Sequence, residues 1–492
     1  MEMTRRGFAK DSLAYLLSAA NRASGGYRSA LGFLALPGGL FGAPAGWKPS
    51  KEPNLVFGIL SDTHLMVNRY NGKTLYPTMS LDYIRKAFKY FKAKNIDAFV
   101  HLGDASHRGD IREWEFHKEV YEEVFGKGGP QRIVVVGNHE LFECDKEWFP
   151  NDWRSRMIGA DLARHYERIW GMPYAETLHR EINGYHFFGT HWGVDGPSAQ
   201  QHGVKMANYI NAHAEKFALK GEKPFFILSH KMTYFACNSK LREFPNAIGF
   251  CGHWHTSLAN WQSIYYERNY KLFPYINCGA CRYDGENALR QDGLKERPDD
   301  LRDPGDHHFE FPSRQGLVVS VYDDMVVMER REFGEGGSLG PNWVFPVGKF
   351  DTKPYSQDTL AAKIGSPEFS AKAKLDVAKA VVSVYERKQA KGEKPRKESG
   401  IRIGIPEANG NPASRAFAYD VVVMGDDPKA RYFKSVYFSG VNAGIGHEPN
   451  KGLTRVEIPA SELPAGKKLT IAVRPVSSLG TKGKTIGTTM RV

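Results

Sequence analysis

Residues 54–64 read Asn54-Leu55-Val56-Phe57-Gly58-Ile59-Leu60-Ser61-Asp62-Thr63-His64, an apolar run that stops at a polar cluster carrying a carboxylate and an imidazole. A continuous run of this length predicts a strand buried on both faces that feeds a polar loop. The pattern repeats downstream. The run at 96–102 ends in Gly103-Asp104, that at 133–136 ends in Gly137-Asn138-His139-Glu140, that at 224–229 ends at His230, and that at 247–251 ends in Gly252-His253-Trp254-His255. Between the first two runs, Leu81, Ile84, Phe88 and Phe91 recur at three- and four-residue steps, which predicts an amphipathic helix over about 80–94. Residues 112–125 read the same way, and 185–190 reads as a further strand. Strands interleaved with helices describe an α/β fold. In open α/β sheets a ligand site forms at the carboxyl ends of the strands, so the five clusters are expected to converge.

Collected, the clusters supply Asp62, His64, Asp104, Asn138, His139, His230, His253 and His255. Carboxylate, imidazole and amide donors without cysteine suit two borderline-to-hard divalent ions such as Mn, Fe or Zn. One carboxylate can bridge two such ions about 3.5–4 Å apart, and the pair clamps the attacking and leaving oxygens of a displacement at phosphorus. Asp62-x-His64, Gly103-Asp104, Gly137-Asn138-His139-Glu140, His230 and Gly252-His253-x-His255, in this order, resemble the calcineurin-like metallophosphoesterases over roughly residues 52–350. That resemblance implies a four-layer α/β/β/α sandwich and hydrolysis of a phosphate mono- or diester by a hydroxide activated between two metal ions. It also implies that Asp62, His64 and His255 hold one ion, that Asn138, His230 and His253 hold the other, and that Asp104 bridges them. His139 matches the histidine that positions the phosphate and protonates the leaving oxygen.

Purple acid phosphatases of this family place a Tyr three residues after the bridging Asp, where His107 stands here, which argues against a ferric-tyrosinate centre. Secreted 5′-nucleotidases add a large nucleotide-binding domain, and the region after 350 is too short and too β-rich for one. His107, Trp254 and Cys144, beside the motifs, are expected to pack or to support the ligands from behind rather than react, and His186 and His191 are expected to hold no metal. Substrate selection is expected to lie in the insertions at 141–180 and 256–316, the latter including a polar loop at 286–316.

The chain has 492 residues, 41% hydrophobic and 25% charged, which excludes general disorder and suits two or three domains. No run of 18 apolar residues predicts a membrane span. Five cysteines are too few for a disulfide scaffold; buried thiols are expected, with a single disulfide as the alternative. No Walker A loop is present. Residues 1–45 resemble a twin-arginine signal peptide through Arg5-Arg6-Gly7-Phe8 and end in Ala43-Pro44-Ala45, which predicts bacterial export to the periplasm or cell surface. The divisions expected are 1–45, a catalytic domain at 46–350, and a third region at 351–492.

In that third region, runs at 373–377, 417–424, 432–438, 454–458 and 469–475 alternate between Gly, Pro and Asn turns, with a charged loop at 386–399. The pattern predicts an all-β sandwich, and its last part resembles a fibronectin type III-like domain. It holds 24 basic and 14 acidic residues, a net of +10, out of +12 for the whole chain. An anionic cell surface is therefore a candidate contact for it, with a small phosphate ester or envelope component as substrate. The near-neutral catalytic part, without a basic aromatic groove, argues against nucleic acid. An alternative reading is an envelope-binding module with a decayed phosphoesterase domain.

Overall fold

The computed structural model describes residues 40–41, 47–49, 51–65, 68–70, 73–75, 78–141, 158–192, 199–231, 240–241, 243–265, 273–282, 313–348, 356–384, 396–408, 410–427, 429–437 and 454–491. In chain order the first part runs β1 (Leu55–Leu60), α1 (Thr78–Ala93), β2 (Ala98–His101), α2 (Ile111–Phe125), β3 (Gln131–Val134), α3 (Leu162–Trp170), β4 (Thr177–Ile182) and β5 (Tyr185–Thr190). There follow α4 (Ala199–Ala212), β6 (Phe225–Ser229), β7 (Ala247–Cys251), β8 (Ile264–Tyr265), β9 (Tyr275–Asn277), β10 (Gln315–Val321), β11 (Met325–Glu332) and β12 (Asn342–Pro346).

One sheet of eight strands has the order Leu40–Phe41, β12, β11, β10, β1, β2, β3, with Gly337–Ser338 paired to β11. Within it β1, β2 and β3 are parallel. A second sheet of six strands has the order β8, β9, β7, β6, β5, β4, and its β9, β7, β6 and β5 are parallel.

The unbroken apolar character of β1 follows from its two buried faces. Leu55, Phe57 and Ile59 enter a core shared with the second sheet, where the Phe57 ring meets Phe187, Phe226 and Phe250 at centroid distances of 5.2, 4.9 and 6.0 Å. Val56 and Leu60 join a cluster with Ile84, Phe88 and Phe91 of α1 and Phe116 and Val120 of α2. A Cβ on Gly58 would stand 2.7 Å from the Phe91 ring, so the glycine lets α1 lie close against the strand. On the second sheet, Met206, Ala207 and Ile210 of α4 pack with Phe188, Phe225, Ile227 and Tyr275. Helices α3 and α4 and strand β4 have no counterpart among the elements expected from the sequence.

Beyond α5 (Gln357–Ile364) come β13 (Asp376–Val384), β14 (Arg396–Ile405), β15 (Ala418–Met424), β16 (Arg431–Tyr437), β17 (Thr454–Pro459), β18 (Lys468–Val476) and β19 (Ile486–Arg491). They form two antiparallel sheets, β13-β14-β17 and β16-β15-β18-β19. One core joins Ile401, Ile403, Val456 and Ile458 of the first with Tyr419, Val421, Val423, Leu469 and Ile471 of the second. The strand expected at 373–377 is instead Asp376–Val384, and residues 396–399, expected in a charged loop, pair with it from Val381↔Ser399 to Val384↔Arg396. Residues 396–399 extend β14 beyond its pairing with β17, which starts at Gly400↔Pro459, so one flank there is solvated and tolerates charged side chains, which is why composition read this stretch as loop. Residues 1–39, the segment 286–312, Cys144 and Cys237 lie outside the described residues. Cys251, Cys278 and Cys281 are buried free thiols. Among the described residues no helix is long and apolar enough to cross a membrane.

The C-terminal sheets are tied to the loop that follows β7. Ser478 Oγ accepts the Trp261 backbone N–H at 3.1 Å, the Ala413 carbonyl accepts the Trp261 indole N–H at 3.2 Å, and Gln262 donates to the Ser478 carbonyl at 3.1 Å. Behind Trp261, the buried Arg330 guanidinium lies 4.8 Å from its ring and 4.6 Å from that of Trp343, and donates to the Leu258 and Pro341 carbonyls. Leu360, Ile364 and Leu479 complete the contact with the first core. Trp261→Ala is expected to lower the unfolding free energy by about 3 kcal/mol, measured by urea denaturation; a loss below about 1 kcal/mol would show that the contact does not depend on this ring.

Candidate metal centre

The loops that leave β1, β2 and β7 take backbone conformations that most side chains avoid. Asp62 (φ 51°), His64 (φ 40°), Asp104 (φ 53°), His253 (φ 68°) and His255 (φ 50°) are all left-handed. They are five of nine such non-glycine residues among those described, so the strain is concentrated at one place. Backbone bonds hold the first two loops side by side: Asp62 N–H donates to Gly103 O at 3.1 Å, His64 to Asp104 O at 2.9 Å and Leu65 to Ala105 O at 2.9 Å. Glycine is required where the loops touch. A Cβ on Gly137 would collide with Asp104 Oδ1, and one on Gly252 would collide with Ser61 Oγ and stand 2.5 Å from Asp62 Oδ2.

This packing brings all eight residues expected from the motifs together. Asp62, His64 and His255 form one donor group and Asp104, His230 and His253 a second. In the first, His255 Nε2 lies 3.0 Å from Asp62 Oδ1 and 3.1 Å from His64 Nε2. In the second, Asn138 Oδ1 is 3.1 Å from both His230 Nε2 and His253 Nδ1. Asp104 Oδ1 accepts the His139 backbone N–H at 2.9 Å, which leaves Oδ2 facing both groups, 3.1 Å from His230 Nε2 and 3.7 Å from His64 Nε2. His230 Nδ1 donates to the Leu102 carbonyl at 2.8 Å, so its Nε2 lone pair points inward when the ring is neutral. Burial opposes ionisation of Asp62 and Asp104, yet the His255 imidazole beside Asp62 and the His230 imidazole beside Asp104 hold both carboxyls below their usual range. Two ionised carboxylates, four imidazoles and an amide oxygen, with no thiolate, fit a pair of divalent cations.

Residues 55–257 match the family model described as calcineurin-like phosphoesterase. This segment is a calcineurin-like phosphoesterase domain. The family implies a dinuclear metal centre, and the two donor groups supply its Asp and His residues. No curated protein matches the chain. Among solved structures, a dimetal phosphatase from Danio rerio is 12% identical, with a TM-score of 0.36 over 61% of this chain and 100% of that one. A purple acid phosphatase from yellow lupin is 13% identical, with a TM-score of 0.36 over 61% of this chain and 55% of that one. A 5′-nucleotidase precursor from Thermus thermophilus is 11% identical, with a TM-score of 0.29 over 89% of each chain.

The phosphoesterase domain also contains supports that the motifs did not reveal. Glu140 is buried; its Oε2 accepts the backbone N–H of Gly137 at 2.6 Å and of Asp104 at 3.0 Å, and its Oε1 accepts that of Ser106 at 2.9 Å. Burial first, and then Asp104, push its carboxyl up to about 7. Glu113 of α2 performs the same service one turn on, accepting from Ser106 Oγ, His107 N–H and Arg108 N–H at 2.5, 2.9 and 3.0 Å. Glu140 stood inside a quoted motif, but its partners are set by the fold and not by spacing.

His107 faces His64 through the two Nδ1 atoms at 3.3 Å and stacks on His139 at 5.3 Å, and the three imidazoles form a further group of possible donors beside the other two. His191 accepts the Val136 N–H at 3.0 Å and stacks on Tyr174, away from both donor groups. His186 pairs with His179 at 3.0 Å. Trp254 is 43% exposed, and its ring lies 5.7 Å from that of His253. Gly137→Ala must displace the Asp104 carboxylate, and is expected to lower bound metal from two ions to one or fewer per chain with the far-UV circular dichroism retained; two ions retained at wild-type affinity would contradict the steric account.

Proposed function

We propose that this chain is a metal-dependent phosphoesterase acting on a phosphate mono- or diester, and that Asp62, His64 and His255 hold one ion, Asn138, His230 and His253 the other, and Asp104 both. The observation that carries the reading is Asp104 Oδ2, which faces a nitrogen of each donor group at 3.1 and 3.7 Å. Two divalent ions there, Mn, Fe or Zn, supply an activated water and positive charge opposite the phosphate oxygens.

His139 is the general acid. Its Nδ1 donates to the His107 carbonyl at 2.7 Å, and its Nε2 is turned to the centre, 3.9 Å from Asp104 Oδ2. Burial lowers its pKa in the metal-free chain; the negative charge of a bound ester opposes this and favours the imidazolium, which gives its Nε2 proton to the leaving oxygen.

The same reading takes 46–350 as a four-layer α/β/β/α catalytic domain, supported by helices packed against both sheets, and 351–492 as a fibronectin type III-like sandwich, supported by its paired antiparallel sheets. Residues 1–45 are taken as a twin-arginine-type export signal to the periplasm or cell surface, and the +10 of the C-terminal region as a contact for an anionic surface. A decayed enzyme serving as a binding module is disfavoured, because no donor of the set is missing.

Hydrolysis of a chromogenic phosphodiester by the metal-loaded full chain tests the reading. Asp104→Ala and His253→Ala are each expected to lower kcat/KM by at least about 100-fold, and unchanged activity in either defeats the assignment. His139→Ala is expected to lower kcat about 10²–10⁴-fold on an alkyl ester with both ions retained; a nitrophenyl leaving group, which needs less protonation, should soften the loss, and an equal loss on both esters would remove the general-acid role.

A further inference from the structure

The mouth of the site carries three side chains that the hydrolytic reading does not use. Trp254 stands between the two ligand histidines of its loop and is one of three large apolar side chains exposed among the described residues. Trp192 follows β5; its ring lies 5.4 Å from that of His253 and 6.0 Å from that of His230, and its backbone N–H donates to the Val136 carbonyl at 2.9 Å. Lys231, directly after His230, places its ammonium 5.7 Å from the Trp192 ring and 6.0 Å from the Trp254 ring. All three border the His230–His253 group. His139 lies on the other flank, its ring 4.5 Å from that of His64.

The exposed Trp254 indole lies beside the site, its ring 5.7 Å from that of His253. Indole faces bind planar rings by stacking, worth about 1–3 kcal/mol per base on alanine substitution, and an ammonium held over both faces orders them by cation–π attraction. From this juxtaposition we propose that Trp192, Lys231 and Trp254 form a clamp for the retained group of a phosphodiester, selecting one that carries a planar aromatic ring. Resting on the phosphoesterase reading, this inference divides the two substituents on phosphorus: the leaving oxygen faces His139, and the group that stays on phosphorus lies across Trp254. A monoester has no such group for the clamp to hold. In hydrolysis, water oxygen bonds to phosphorus and gives up a proton to solvent, the P–O bond on the His139 side breaks, the leaving alcohol takes the His139 proton, His139 regains a proton from solvent, and the monoester product departs from the clamp.

The test uses the metal-loaded full chain and two diesters with the same nitrophenol leaving group, thymidine 5′-(p-nitrophenyl phosphate) and methyl p-nitrophenyl phosphate. Trp254→Ala is expected to raise KM about tenfold on the thymidine ester, with kcat within about twofold and two ions still bound, and to leave the methyl ester unchanged. Trp254→Phe, which keeps a ring, should restore most of the loss. Lys231→Met should raise KM about threefold on the thymidine ester alone. Equal effects of Trp254→Ala on both esters, or none on either, overturn the clamp and leave the phosphoesterase reading intact. Turnover of neither ester by the wild-type chain overturns the clamp and confines the phosphoesterase reading to monoesters; if p-nitrophenyl phosphate is not turned over either, that reading falls as well.

Discussion

Glu140 takes part in no bond-making step, yet the centre is arranged around it. A carboxylate taken out of water costs several kcal/mol unless its oxygens are satisfied, and here three backbone N–H groups from two loops satisfy them. Those charge-assisted bonds pin Gly137 against Asp104 closely enough that no side chain fits between. The left-handed turns at Asp104 and its neighbours persist because this packing leaves the chain no relaxed alternative. Asp104 then has one oxygen fixed by the His139 N–H and the other free to face both donor groups.

The electrostatics of the site point the same way. With no cation present, the two ionised carboxylates raise the buried His230 imidazole to about 9, against the burial that would lower it. Since most of the formal positive charge lies after residue 350, the net charge of the phosphoesterase domain would add little attraction for an anionic ester, and ions in the site would have to supply it.

Much of this was readable from residue order. The run at 54–60 announced a strand buried on both faces, because Phe226 and Phe91 cover its opposite sides. The eight motif residues could be collected because each follows a strand, and strand ends in a parallel sheet meet. What stayed hidden depends on juxtaposition. Glu140 and Glu113 look like ordinary acidic residues until their backbone partners are known. Trp192, after a strand with no ligand at its end, carries no local sign that it stands beside His253. The β19 run Ile486-Gly487-Thr488-Thr489-Met490-Arg491 is too polar to be read as a strand, since only one of its faces meets the core.

The loop after β7 carries His253 and His255 at its start and Trp261 and Gln262, gripped by the C-terminal sheets, a few residues later. Any ligand that binds only the folded form of this loop stabilises everything folded with it, by RT ln(1 + [L]/Kd). Ion occupancy and the integrity of the C-terminal sheets are thus thermodynamically linked, in both directions. An ion held by either histidine would steady C-terminal sheets that offer it no donor atom, and a fault in those sheets would be felt as weaker hold on the ion.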